Sequence, residues 1–258
     1  MKLKIMTYNI ASCRNYKLGP DFRPVTRDID LYAKAMQELA PDVCGLNEVD
    51  YKLPRSCCIK MAKYLGDALG YESAFGPAVT WGLGTYGNGF ISKYPIKDVE
   101  VYPIPDPPAK TEDKYYETRA ILHAIVDVEG RDVDFFITHF GLARAEAQSA
   151  ADTLVELIKR CQNPVVLMGD FNLKMDDPIL APFFEMLQDT FAVYPDQNAS
   201  TVYTYPSDPI VTQVPEHYGK IDYIFLSKHF KVESVEIPAL LLSDHKPYIA
   251  YAELLDEE

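Results

Sequence analysis

Apolar residues along the chain follow two periods, and segments with one period alternate with segments that have the other. Spacings of three and four residues predict helices over residues 28–40, 60–69, 143–161 and 178–187. Shorter apolar runs bounded by turn residues predict strands over residues 2–9, 42–48, 87–93, 97–103, 118–128, 131–139, 164–170, 220–227, 231–237 and 247–254. Such alternation is typical of an α/β fold.

The segments between these elements are predicted to be loops. The longest are residues 12–27, 76–88, 105–117 and 194–218, the last of which contains four prolines. The sequence has no internal repeat and no stretch with the composition of a linker. Its 258 residues lie within the size that one hydrophobic core supports, so we predict a single domain over residues 1–258.

Polar side chains stand beside the predicted strands, mostly where a strand ends. The set consists of Asn9, Glu48, His139, Asp170, Asn172, Asp222, Asp244 and His245. Open α/β sheets place their sites at the carboxyl ends of strands, so we expect these side chains to converge. Carboxylate and amide oxygens suit a magnesium ion, and a carboxylate or histidine takes a proton from an attacking water.

Seven short motifs, in order, resemble the signatures of the endonuclease/exonuclease/phosphatase superfamily. They are Met6-Thr7-Tyr8-Asn9-Ile10, Leu46-Asn47-Glu48-Val49-Asp50, the segment 86–96, Thr138-His139-Phe140-Gly141, Gly169-Asp170-Phe171-Asn172, Ile221-Asp222-Tyr223-Ile224 and Ser243-Asp244-His245-Lys246-Pro247. The resemblance implies the deoxyribonuclease-I-like fold, a four-layer α/β/β/α sandwich of two facing mixed β-sheets with helices outside. It also implies a metal-dependent phosphoric ester hydrolase that attacks phosphorus in line with an activated water.

The resemblance implies a metal site and a group that activates water. Glu48 would be the principal ligand of a magnesium or manganese ion, with Asn9 and Asp244 near the same ion. Asp170 would orient or deprotonate the attacking water, and Asn172 would help to hold the metal or the phosphate.

The resemblance further implies groups that contact the phosphate. His245 would face the scissile phosphate, with Asp222 behind it as the partner that orients the ring. His139 matches the second histidine of the nuclease branch of the superfamily. Arg119 resembles an arginine that grips phosphate, and Asn88 would line the same pocket.

Each of these residues also has a structural interpretation. Asn9 can cap a turn, and Asp222 can be a core carboxylate whose hydrogen bonds are satisfied. Taken singly, Asn9, Asn88 and His139 are more often structural than functional. Taken together and in family order, the carboxylates and His245 favour the functional interpretation.

Charge restricts the class of substrate. The chain has 25 basic and 38 acidic residues, a formal net charge of −13, and its basic residues are scattered. Proteins that bind duplex DNA non-specifically need clustered basic residues, so we expect no tight binding of that kind. A small or headgroup phosphoester is favoured, unless Arg14, Arg119 and Arg144 form a local basic cluster.

Several alternatives stay open at this point. The chain could be a nuclease acting on DNA or RNA, a lipid phosphodiesterase of the sphingomyelinase or phosphoinositide type, or a binding module that retains the fold. The N-terminal residues lack the apolar stretch of a signal peptide, and the five cysteines show no zinc spacing. We therefore expect a cytoplasmic protein that acts as a monomer and has no transmembrane segment.

Overall fold

The computed structural model describes residues 1–195 and 202–256 of the chain. Six of the strands in these residues form the first sheet: β1 (Lys2–Asn9), β2 (Val43–Tyr51), β3 (Glu72–Trp81), β4 (Gly84–Ser92), β11 (Phe230–Glu236) and β12 (Tyr248–Leu254). Their order is β11-β12-β1-β2-β4-β3. β1 and β2 are parallel and the other neighbours are antiparallel, so the sheet is mixed.

The second sheet also has six strands within the described residues. They are β5 (Ile96–Pro103), β6 (Ala120–Val128), β7 (Arg131–His139), β8 (Val165–Asp170), β9 (Gln188–Asp189) and β10 (Asp222–Leu226), in the order β5-β6-β7-β8-β10-β9. β7 and β8 are parallel, whereas the other pairs are antiparallel. Four α-helices accompany the sheets in the described part of the chain: α1 (Ile29–Leu39), α2 (Met61–Leu69), α3 (Arg144–Ile158) and α4 (Ala181–Met186).

Three apolar clusters show how these elements are layered. One lies between the sheets and joins Ile5 and Phe90 of the first to Phe135 of the second. A second joins the outer face of the first sheet to α1 and α2, and a third joins the outer face of the second sheet to α3 and α4. The predicted four-layer sandwich is therefore confirmed.

The facing sheets approach closely at Gly45 of β2. A Cβ atom at this position would stand 2.7 Å from Sδ of Met168 in β8, so only glycine fits without displacing that side chain. The close approach brings the end of β2 next to the end of β8. Residues that follow Gly45 and Met168 along their strands therefore meet at one edge of the sandwich.

Strand register explains why the predicted polar residues converge. In the second sheet, His139 at the end of β7 lies opposite Asp170 at the end of β8, and Asp170 lies opposite Asp222 at the start of β10. In the first sheet, Asn9 lies opposite Asn47. This pairing places the predicted polar residues of each sheet side by side at one end of their strands.

One predicted loop is wrong. Residues 76–88 belong mostly to β3 and β4, which form a hairpin turning at Gly82 and Leu83. Gly76, Pro77 and Gly87 interrupt the alternation of apolar and polar residues that reveals a strand, and pairing with the neighbouring strand supplies the order instead.

The other predicted loops agree better with the structure. Residues 105–117 contain neither helix nor strand, as expected, and residues 12–27 contain only short 3-10 turns and an isolated bridge. Part of the predicted loop 194–218 lies outside the described residues, which resume at Val202. No helix within the described ranges is long and apolar enough to cross a bilayer.

Candidate active site

The first sheet contributes Asn9 and Glu48 to one edge of the sandwich. Glu48 has a φ of 58° and lies where the register of β2 against β4 shifts. A non-glycine residue in the left-handed region carries a conformational cost that is common at functional sites. Asn9 Nδ2 donates hydrogen bonds to Glu48 Oε1 at 3.1 Å and to Asp170 Oδ2 at 3.0 Å. The asparagine thus links the carboxylates of the two sheets.

Asp170 is the point at which the other groups meet. Its Oδ2 atom accepts the hydrogen bond from Asn9 and lies 3.5 Å from Nε2 of both His139 and His245. Its Oδ1 atom accepts a hydrogen bond from the backbone N–H of Asn172 at 2.9 Å. One carboxylate therefore touches two imidazole rings, one side-chain amide and one backbone amide, while the residue is only 1% exposed.

These surroundings favour the protonated form of Asp170. Burial is the largest effect and raises the pKa of this carboxyl to about 7, with the negative charge of Asp222 acting in the same direction. The positive charge of His245 and the hydrogen bond from Asn9 lower the pKa and so oppose this shift. A carboxyl group with a pKa near neutrality can take up and release a proton under ordinary cellular conditions.

His245 is held as a cation by a carboxylate behind it. Its Nδ1 atom lies 2.9 Å from Oδ2 of Asp222, which is completely buried. Burial alone lowers the pKa of the imidazole, but the negative charges of Asp222 and Asp170 outweigh it and raise the pKa well above its usual value. The hydrogen bond fixes the ring so that Nε2 points toward Asp170.

His139 has the opposite protonation state because its partner is an arginine. Its Nδ1 atom lies 2.9 Å from Nη1 of Arg119, and a guanidinium can only donate, so Nδ1 accepts and the proton is on Nε2. Burial lowers the pKa of His139 well below its usual value, and the charges of Arg119 and His245 lower it further. One neutral and one cationic histidine therefore flank Asp170.

Glu48 and Asp244 form an acidic pair without basic partners. Burial raises the pKa of Glu48, and the negative charge of Asp244 raises it further. Asp244 accepts hydrogen bonds from the hydroxyls of Tyr16 at 3.1 Å and Ser243 at 3.0 Å. Within residues 1–195 and 202–256, no lysine, arginine or histidine forms an ion pair with either carboxylate. The carboxylates of Glu48 and Asp244 are half-buried oxygen donors that fit a hard divalent cation, whereas the Asn9 amide nearby directs its nitrogen toward Glu48 and its oxygen toward the backbone N–H of Ala11.

A second group of possible metal ligands shares no residue with the first. One ligand atom each from Asp170, Asp222 and His245 lie within 4.8 Å of one another. Metal binding requires a neutral imidazole, however, and Asp222 already accepts a hydrogen bond from His245 while its charge favours the protonated ring. The oxygen-rich pair Glu48 and Asp244 fits a hard cation better.

A cavity of about 560 Å³, a volume that suits a small ligand, lies at this edge of the sandwich, and Asn9 and Asp222 stand behind its wall rather than in it. The cavity wall includes Glu48, Asp170, Asp244, His139, His245, Arg119 and Asn172. Arg119 also forms an ion pair with Glu117 at 3.5 Å. The side-chain amide of Asn172 donates to the carbonyl of Phe140 at 2.9 Å, which leaves its oxygen as the group available to the cavity.

Asn88 does not reach the cavity wall. It is 2% exposed, and its amide donates to the carbonyl of Ala120 at 2.8 Å while its oxygen accepts from Asn47. Asn47, in turn, accepts a hydrogen bond from the backbone N–H of Asp170 at 2.9 Å. Asn88 therefore supports the residue that holds Asp170. Asn47 was not predicted as a site residue, although a polar residue inside an apolar strand indicates a specific role.

Arg14, Arg119 and Arg144, which were considered as a local basic cluster, do not lie together. Arg119 is the arginine that lines the cavity, whereas Arg144 pairs with Asp177 at 2.8 Å on the surface. Arg14 lies over the ring of Tyr16, whose hydroxyl donates to Asp244. Tyr16 was not predicted as a site residue, because nothing in its local sequence separates it from other loop residues.

Lys220 is a buried charge that sequence reasoning also missed. It is 2% exposed, and its Nζ atom lies 3.3 Å from the ring centroid of Tyr223 and 3.7 Å from Oδ1 of Asp189. Nζ makes no hydrogen bond with any described residue. Burial lowers the pKa of this lysine to about 8, although Asp189 and Asp222 raise it. Its positive charge stands beside the strand that carries Asp222.

The chain is similar in part to YbhP of Escherichia coli (strain K12), a protein described as uncharacterized. The two sequences are 26% identical over 179 residues, which is 66% of this chain and 66% of YbhP. The chain thus aligns with slightly less than two thirds of the length of that relative.

Two solved structures show the same fold. A protein of Beutenbergia cavernae described as endonuclease/exonuclease/phosphatase is 24% identical, with a TM-score of 0.77, over 98% of this chain and 72% of that one. A mannosyl-6-phosphatase of Bacteroides thetaiotaomicron is 20% identical, with a TM-score of 0.70, over 97% of this chain and 99% of that one.

A family model matches almost the whole sequence. The model of the Endonuclease/Exonuclease/phosphatase family aligns with residues 6–245. That range begins within the strand that ends in Asn9 and finishes at His245, so it includes six of the seven motifs and the first three residues of the seventh. The chain therefore belongs to the endonuclease/exonuclease/phosphatase family.

Proposed function

We propose that the protein is a metal-dependent phosphoesterase that hydrolyses a compact phosphoester. The observation that carries the proposal is the position of the Asp170 carboxylate, within 3.5 Å of both His139 and His245 on the wall of the cavity. Attack by water on phosphorus requires a base that accepts a proton from the water and donors that stabilise charge on the phosphoryl oxygens. Asp170 is the base, and the cationic His245 and the neutral His139 are the donors. Chance placement of buried polar groups does not account for this set.

Asp170 is the base in this proposal. Its carboxylate takes a proton from a water molecule in the cavity as the water oxygen forms a bond to phosphorus. The ester P–O bond opposite the water breaks, the leaving oxygen takes a proton from solvent to form an alcohol, and Asp170 returns its proton to solvent. Burial, which raises the pKa of Asp170 to about 7, makes the carboxylate a stronger base than an exposed aspartate.

His245, His139 and Arg119 stabilise the phosphoryl group. The cationic His245, supported by Asp222, donates from Nε2 to a phosphoryl oxygen whose negative charge grows during the reaction. His139 donates from Nε2 as a neutral ring, because Arg119 occupies its Nδ1 atom. Arg119 adds a positive charge to the same wall of the cavity.

Glu48 and Asp244 would hold the metal ion, which we propose to be magnesium or manganese, and Asn9 lies beside Glu48 with its amide nitrogen toward that carboxylate. Such an ion, when bound, offsets phosphoryl charge as a Lewis acid. Asn9 keeps Glu48 and Asp170 in a fixed relation through its two hydrogen bonds, and Tyr16 and Ser243 orient Asp244. A bound cation would relieve the mutual repulsion of Glu48 and Asp244.

The size and lining of the cavity support a compact substrate. Tyr115 and Leu142 line it and are 65% and 51% exposed, and Tyr205 lies 5.0 Å from the His245 ring. These side chains can contact a sugar or a ring beside the phosphate. The similar structure of a protein described as a mannosyl-6-phosphatase supports a small phosphorylated substrate.

A substrate panel tests the proposed class. The panel contains a hexose 6-phosphate, a nucleoside monophosphate, bis(p-nitrophenyl) phosphate, a water-soluble phosphoinositide, sphingomyelin vesicles and plasmid DNA, each with magnesium. We expect the highest kcat/KM on one of the compact phosphoesters. Asp170→Asn should lose that activity, whereas Asp176→Asn, which changes an exposed carboxylate, should keep it. Equal rates for wild type and Asp170→Asn would reject the assigned site.

A further inference from the structure

Three arginines gather beside the candidate metal site. Arg14 and Arg27 lie directly opposite each other in an isolated antiparallel bridge, so their side chains leave the backbone on the same face. Like charges in such a pair destabilise it. Burial lowers the pKa of Arg27, and the positive charges of Arg55 and Arg14 lower it further.

The positive charge of this cluster exceeds its negative charge. Asp50 is fully buried, and its two oxygens accept hydrogen bonds from Arg55 Nη2 at 2.6 Å and Nε at 2.9 Å. Asp28, on the other side of the loop, uses its carboxylate to accept the N–H of Leu31 and cap α1. Asp50 is therefore paired with Arg55, whereas Arg14 and Arg27 form no ion pair with a carboxylate in the described part of the chain.

Arg27 is the most exceptional member of the cluster. Burial is the largest cause of its lowered pKa, and its Nε atom is buried without a hydrogen-bond partner in the described residues. It forms no ion pair with a carboxylate in those residues, and Arg14 donates only to the carbonyl of Pro20. Leaving a partly buried cation without a counter-charge is unfavourable, so the arrangement favours an anion from outside the chain.

The cluster adjoins the cavity that contains the catalytic groups. Ser12 Oγ accepts a hydrogen bond from Arg55 Nη2 at 3.1 Å and lies 3.2 Å from the carbonyl oxygen of Glu48. The Arg55 guanidinium also lies over the rings of Trp81 and Tyr86, at 4.9 and 5.4 Å. Tyr86 lines the cavity itself, so a ligand extending past it would reach the arginines.

We propose that Arg14, Arg27 and Arg55 form a second anion site, which binds a second phosphate group of the substrate. Guanidinium groups recognise phosphate oxygens through paired, charge-assisted hydrogen bonds. The chemical class of the substrate is then a small molecule with two phosphate groups, one at Asp170 and the other at the arginines. The substrate claim rests on the proposed phosphoesterase function, whereas the existence of the anion site does not.

Binding of inorganic phosphate tests the anion site without turnover. Isothermal titration in excess chelator compares wild type, Arg27→Gln and Arg160→Gln, the last being a control at a side chain that is 75% exposed. Arg27 is the chosen position because removing Arg55 would leave Asp50 buried without its partner. We expect Arg27→Gln to weaken phosphate binding about tenfold or more and Arg160→Gln to leave it unchanged. Unchanged binding in Arg27→Gln, or an equal loss in the control, overturns the site.

A kinetic comparison tests which molecule brings the second phosphate. The ratio of kcat/KM for fructose 1,6-bisphosphate to that for fructose 6-phosphate is measured with magnesium in wild type and Arg27→Gln. We expect a ratio well above one in wild type and a fall of about tenfold in the variant. If phosphate binding depends on Arg27 but the ratio is the same in both proteins, the site binds a free anion and the substrate claim is overturned.

Discussion

Asp222 Oδ2 lies 2.9 Å from Nδ1 of His245, and this contact directs the other nitrogen of the ring toward Asp170. The negative charge of Asp222 also offsets the burial that would otherwise neutralise the imidazole. The two residues therefore act as one unit, in which the carboxylate sets both the orientation and the charge of the histidine.

A double-mutant comparison checks whether Asp222 and His245 act as one unit. His245→Ala should lower kcat by roughly 10²–10⁴, the usual contribution of an acid–base group, and Asp222→Asn should also lower it. The double variant should be little slower than His245→Ala alone, because Asp222 acts through the ring that is already missing. Steady-state kinetics on the best substrate of the panel measures all four proteins. Full multiplication of the two losses would show that the pairing is not functional.

Asp170→Asn should lower the activity and raise the thermal stability of the metal-free protein at pH 8. We expect kcat to fall by roughly 10²–10⁴. Because burial raises the pKa of Asp170 from 3.8 to about 7, ionising it destabilises the folded metal-free protein as pH rises from about 4 to about 7. The variant lacks this penalty, so its Tm in chelator should exceed that of wild type at pH 8.

The same comparison at pH 5 serves as the control for Asp170. Most of the Asp170 population is protonated in the folded wild type at that pH, so the difference in Tm should narrow. A variant that is no more stable than wild type at pH 8 would contradict the assigned electrostatic cost.

Lys220→Met should change how stability depends on alkaline pH. Burial lowers the pKa of Lys220 from 10.5 to about 8, so the charged lysine destabilises the folded protein fully below pH 8. That penalty, roughly 3 kcal/mol by the size of the shift, disappears as pH rises from about 8 to about 10.5. The free energy of unfolding of wild type should therefore rise relative to that of the variant across this range.

Denaturant titrations at several pH values measure the free energy of unfolding of wild type and of Lys220→Met. Subtracting one free energy from the other cancels the contribution of the buried tyrosines, which titrate in both proteins. Lys228→Met, at an exposed position, should show no such trend. A constant difference between wild type and Lys220→Met would mean that the lysine is not destabilised by burial.

Much of the site was predictable because the polar residues that form it stand beside strands. A strand that ends in Asn9 or Asp170 places that side chain at the sheet edge, and Glu48 lies where the register of β2 against β4 shifts. The family motifs then order these residues along the chain. The four-layer arrangement follows from the same resemblance, and the three apolar clusters confirm it.

Partnerships between side chains were not predictable from order along the chain. Arg119 meets His139 because β6 and β7 pair antiparallel with Leu122 opposite Ile137, a register that spacing does not reveal. Lys220 was missed because a lysine beside an apolar strand is usually exposed, whereas three aromatic rings enclose this one. The hairpin over residues 76–88 was missed because its glycines weaken the strand pattern.

Charge should disfavour duplex DNA as a substrate. The net charge is −13, and the cavity has one arginine among several carboxylates. A polyanion therefore meets a repulsive field, whereas a compact phosphoester feels much less of it. We expect weak and strongly salt-dependent nicking of plasmid DNA and a higher kcat/KM on bis(p-nitrophenyl) phosphate, each measured at low and physiological salt. Efficient nicking at physiological salt would favour a nuclease instead.

The most direct test of the account is metal-dependent turnover at the Glu48 site. Protein stripped with chelator is assayed on the best compact phosphoester while magnesium or manganese is titrated back, for wild type, Glu48→Gln and the exposed control Glu185→Gln. The account predicts no turnover in chelator, recovery with either ion, and at least a roughly tenfold higher metal requirement for Glu48→Gln alone. Full turnover in excess chelator, or the same metal requirement in all three proteins, would contradict it.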